Sequence, residues 1–152
     1  MCGLVFAAAL AAATLPAPTP VSAAPTPATS HLMAEPLFAG IVSKAATLET
    51  EARGFKGAKT LDLSRFRTEV AGLSAMDMEG HVTLKARGTD GDLKCILKGI
   101  SQDLPKKLDQ VAAATDPALR AIALDEMIAL LDDNQAVVTS PPGPATPPPA
   151  DS

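Results

Sequence analysis

The chain has 152 residues and a mass of 15.5 kDa, material for one domain. Thirteen Lys and Arg stand against 17 Asp and Glu, a net charge of -4 with a pI near 5.1, which argues against the basic face that binding nucleic-acid phosphate requires. With no Trp, no Tyr and four Phe, platforms for stacking bases or sugars are nearly absent, and two His with two Cys leave most multi-ligand zinc sites short of donors.

Proline marks both ends. Eleven of the 14 Pro fall in two blocks, Pro16 to Pro27 and Pro141 to Pro149. Each Pro fixes φ and removes a backbone donor, so both blocks exclude helix and central strand. Leu4 to Leu15 is an apolar run of 12 residues, shorter than the roughly 20 that a membrane span needs. Small residues follow at Val21-Ser22-Ala23-Ala24, which suits cleavage after Ala23. Residues 1–23 therefore read as a signal peptide, although no Lys or Arg precedes the apolar run. The expected product is exported, periplasmic or extracellular. Cys2 precedes the apolar run, where a lipidation cysteine would follow it, and Met-Cys-Gly misses the start that myristoylation needs. Residues 24–32 read as a Pro- and Ala-rich linker, 33–138 as the folded domain and 139–152 as a disordered Pro-rich tail. The tail holds Pro-x-x-Pro spacings without the basic anchor of a Pro-rich ligand.

The domain reads as all-α, a small bundle of about five short amphipathic helices. Ala is abundant and lies among Leu, Met, Lys and Glu, strong helix formers, while aromatic and β-branched residues are sparse. The first helix is expected over 35–53, with Leu37, Phe38, Ile41, Val42, Ala45, Leu48 and Ala52 in one stripe. The second is expected over 64–87, with Phe66, Val70, Leu73, Met76, Gly80 and Leu84. Gly80 on that stripe would admit a close neighbour, and a short strand over His81 to Arg87 is the alternative. Gly88 should end this helix. Thr89 and Asp92 have the spacing of a capping box for a third helix carrying Leu93, Ile96, Leu97, Ile100 and Leu104. Asp103 and Pro105 suggest a fresh start, hence a fourth helix to about Ala114. Asp116 and Pro117 open a fifth, with Leu119, Ile122, Ala123, Met127, Leu130 and Leu131 as its apolar face and an end near Asn134. Ala136-Val137-Val138 then reads as extended.

Chemistry-bearing patterns are few. His31 and His81 have no neighbouring His or Cys and read as solvated. An EF-hand counted from Asp90 puts Ser101 where Glu is needed. Gly54 to Thr60 lacks the glycine spacing and adjacent Gly-Lys of a phosphate loop; Arg53, Lys56 and Lys59 remain a weak anion-loop candidate. No Gly-x-Ser-x-Gly elbow occurs, and Asp125-Glu126 and Asp132-Asp133 read as solvent-facing pairs. Cys95, left alone if the leader is removed, is a candidate free thiol or intermolecular disulfide, which would make a homodimer. No catalytic residue, metal site or cofactor is expected. The leading expectation is a non-catalytic module that binds a protein partner through its helix faces. The alternative is a carrier or sensor of a small apolar ligand in the core, with Met76, Met78 and Met127 as lining.

Overall fold

The computed structural model describes residues 29–89 and 91–143. The segment expected as signal peptide (1–23), most of that expected as linker (24–28) and residues 144–152 of the expected tail lie outside the described residues. Five helices make up the described chain: α1 (Thr29–Met33), α2 (Pro36–Gly54), α3 (Ser64–Ala86), α4 (Leu93–Ala113) and α5 (Pro117–Thr139). No strand occurs among the described residues, so the all-helical expectation holds and the alternative strand over His81 to Arg87 is corrected.

The long helices α2 to α5 form a four-membered ring. Both α2 and α4 pack on α3 and on α5, leaving α3 opposite α5 and α2 opposite α4. Neighbours run antiparallel, as short links require: the α4–α5 link is three residues, 114–116. The buried positions explain the ring. They are Phe38, Ile41, Ala45, Leu48 and Ala52 on α2, and Phe66, Val70, Leu73, Asp77, Gly80 and Leu84 on α3. On α5 Leu124, Met127, Leu131, Asn134 and Val138 follow the same alternation. Steps of three and four residues are the seam spacing of helices crossing at a shallow angle. Two aromatic rings close one end, Phe55 edge-on to Phe66 at 5.2 Å between centroids.

At Gly80, α3 lies close against both α2 and α4. A Cβ there would lie 3.0 Å from Leu97 Cδ1 and 3.4 Å from both Ile41 Cδ1 and Phe38 Cε1, so the expected close approach is real. Gly88 ends α3 with φ +64°, a left-handed conformation that glycine adopts freely. Its N–H donates to the Lys85 carbonyl and that of Thr89 to the Leu84 carbonyl, the paired bonds of a Schellman cap.

Three expectations fail at element boundaries. The third and fourth expected helices are one, α4, with Pro105 inside it. Pro105 cannot donate to the Ser101 carbonyl four residues back. The Ser74 hydroxyl of α3 donates to that carbonyl instead, at 2.6 Å, so the helix runs on without an orphaned buried acceptor. The capping box at Thr89 does not form: Asp92 is the residue before α4, and its side chain caps nothing. α5 continues to Thr139, so Ala136 to Val138 are helical, and Val138 is fully buried. The short α1, ahead of α2, packs on α2 and α5. The Asp116 cap is as expected, its carboxylate accepting from Ala118 N–H at 2.8 Å and Leu119 N–H at 3.0 Å.

Candidate functional site

Several surface charges bridge neighbouring helices. Lys44 pairs with Glu69 across α2 and α3, Arg67 with Asp109 at 2.9 Å across α3 and α4, and Lys107 with Glu126 at 2.6 Å across α4 and α5. Arg87 grips Glu35 through two bonds of 2.8 and 2.6 Å, and this guanidinium holds the Glu35 carboxyl below the ordinary carboxylate range. Water and salt screen such exposed pairs, so each adds little to stability.

Of the anion-loop residues, two are paired with carboxylates. Arg53 bonds Glu49 one turn back on α2, and Lys56 bonds Asp125 of α5. Lys59 borders a different, open groove with Arg67 and Arg120. Arg67 is held by Asp109, and Arg120 Nε donates to the Ala114 carbonyl at the end of α4. Asp125 and Glu126 both serve as ion-pair partners, and Asp132 and Asp133 are exposed.

Cys95 is free and exposed in the first turn of α4. Its neighbour Lys94 donates to the Thr89 carbonyl at 2.6 Å, while Lys98 is exposed. His31 is exposed. His81 is half-buried, and its Nδ1 lies 2.6 Å from the Lys94 carbonyl; a carbonyl only accepts, so Nδ1 carries the hydrogen. Among the described residues no cluster of three His, Cys, Asp or Glu is placed to hold a metal ion, and no helix is long and apolar enough to cross a membrane. Met76, Met78 and Met127 are not equivalent: Met127 is fully buried, Met78 half-buried, and Met76 borders an open groove with Gly40, Lys44 and Glu69.

Two features were not anticipated. The first is at the α4–α5 turn. Leu119 and Ile122, expected on the core face of α5, are 61% and 56% exposed. With Ala113, Ala114 and Ala123 they line a shallow, mainly apolar groove of roughly 420 Å³, edged by Gln110 and Glu126. The reason lies in the stripe itself: the buried seam of α5, Leu124, Met127, Leu131, Asn134 and Val138, projects back to half-buried Arg120, so Leu119 and Ile122 fall on another flank, in line with exposed Glu126.

The second is inside the core. Asp77 of α3 and Asn134 of α5 are both fully buried, and Asn134 Nδ2 donates to Asp77 Oδ2 at 2.9 Å across the diagonal of the bundle. Asp77 Oδ1 and Asn134 Oδ1 are buried without a partner. Burial pushes the Asp77 carboxyl up to about 7, the Asn134 bond opposing this only in part. A sequence signal existed: 66, 70, 73, 77, 80 and 84 are evenly alternating steps, so Asp77, and not Met76, continues the α3 seam. Comparison with protein-family models, with curated proteins and with solved structures finds no match to this chain.

Proposed function

We propose that the protein is an exported, non-catalytic helical module that acts by binding a protein partner through the α4–α5 end of its bundle. One observation carries the reading: Leu119 and Ile122 stand exposed side by side on a helix whose other large apolar residues are buried or half-buried. Exposed apolar side chains grouped in one groove with a polar edge are the usual make-up of a recognition surface. Export rests on the leader, read from Leu4 to Ala23. A carrier role finds less support, since Met127 is packed in the core and Met76 faces an open groove.

Native mass spectrometry of the protein purified from its own host tests this. The expected spectrum shows a stoichiometric complex with a second protein, lost when Leu119 and Ile122 are both changed to Ser. A chain that arrives alone, or with a lipid-sized mass, contradicts the proposal. Cys95 offers a separate covalent route to a homodimer: a dimer band on a non-reducing gel, absent in Cys95→Ser, is its signature.

A further inference from the structure

The orphaned atoms of the core pair are complementary. Both are oxygens, one on a carboxyl and one on an amide, and each belongs to a group whose other polar atom is already engaged with its counterpart. With Asp77 ionised, two acceptors are buried among apolar side chains with no side-chain donor between them, a costly arrangement. A single proton resolves both. We propose that Asp77 is a neutral carboxylic acid in the folded protein, its Oδ1–H donating to Asn134 Oδ1 while Asn134 Nδ2 donates to Oδ2, and that this two-bond acid–amide pair is a pH-sensitive latch across the α3–α5 diagonal.

The surroundings leave the proton no competing partner. The buried faces of α2 and α4 carry apolar side chains and the Ser101 hydroxyl, which donates to the Lys98 carbonyl. On α2, half-buried Lys44 and Glu49 are turned to Glu69 and to Arg53 and Gln135. On α4, Lys94 is turned to Thr89 and Lys98 is exposed. On α5, Asp132 and Asp133 beside Asn134 are exposed; one turn along α3, His81 is committed to the Lys94 carbonyl.

The sign of the effect follows. The folded chain keeps a proton that the unfolded chain releases near the ordinary carboxylate value of 3.8, and lets it go only near 7. The latch is therefore fully in force below about 4, and its contribution falls as pH rises towards 7. The folding constant drops about tenfold per pH unit through that window, then levels off.

Denaturant melts of the full chain from pH 5 to 8.5, beside Asp77→Asn, read this directly. The variant can exchange the same two bonds between two amides and has nothing to titrate. Its stability should be flat relative to wild type, whose folding constant should fall at least tenfold between pH 5 and 7. Equal slopes in the two proteins overturn the proposal. Carbon-13 NMR of the aspartate carboxyls in wild type needs no variant. The expected Asp77 signal stays protonated at pH 5.5, where the exposed aspartates are ionised, and an Asp77 signal that titrates along with them overturns the latch.

Discussion

Individual side chains explain where this core is tight and where it is not. Gly80 sits against Leu97, Ile41 and Phe38, so a Cβ alone presses on Leu97 and a residue larger than Ala must displace Ile41 and Phe38 as well. Gly80→Val should cost about 1–3 kcal/mol by overpacking, measured by urea denaturation. Gly72 differs: nothing lies nearer to a Cβ there than the Lys44 ammonium at 3.7 Å. Gly72→Ala should therefore raise stability by up to about 1 kcal/mol through helix propensity alone. Gly80 was legible from the sequence because it falls on an apolar stripe. Asp77 was not, because a carboxyl is read as a surface residue until the register of its helix is fixed by packing. Asn134 was hidden similarly, as a stop signal for a helix that instead continues one further turn, held by Val138 in the core.

At the level of the element, α4 shows how a local rule loses to tertiary structure. Asp103 and Pro105 have the residue types of a helix start, and sequence alone offers no reason to pass through them. Ser74, 27 residues away in the chain, supplies the missing donor. Leu104 and Leu108, both buried, hold the two halves of α4 on one seam. A double-mutant cycle measures this. Ser74→Ala should cost about 1–3 kcal/mol with Pro105 present, because the Ser101 carbonyl is left without a partner. In a Pro105→Ala background, where the helix again donates to Ser101, the same change should cost clearly less; equal costs in both backgrounds would refute the compensation. The start of α5 was readable because capping is local: Asp116 and Pro117 act within one turn. Asp116→Ala should lower stability by about 1 kcal/mol in the same assay.

Over the whole molecule, four seams of three- and four-residue steps close a ring, and exposed ion pairs bridge neighbouring helices. The all-helical architecture and most core residues were legible because hydrophobic periodicity survives without knowledge of the neighbours. The exposure of Leu119 and Ile122 was not, since their three-residue spacing reads as core until packing fixes the seam of α5, which projects back to Arg120 and leaves both on another flank. Changing both to Ser should leave the urea midpoint within about 0.5 kcal/mol of wild type, as expected for surface positions. Their proposed role is contact with another protein. A photo-crosslinking amino acid placed at position 122, with exposed Ala129 on the same helix as the control site, tests that role most directly in the protein's own host. The predicted result is one discrete adduct from position 122 and none from position 129; no adduct, or the same adducts from both positions, would contradict it.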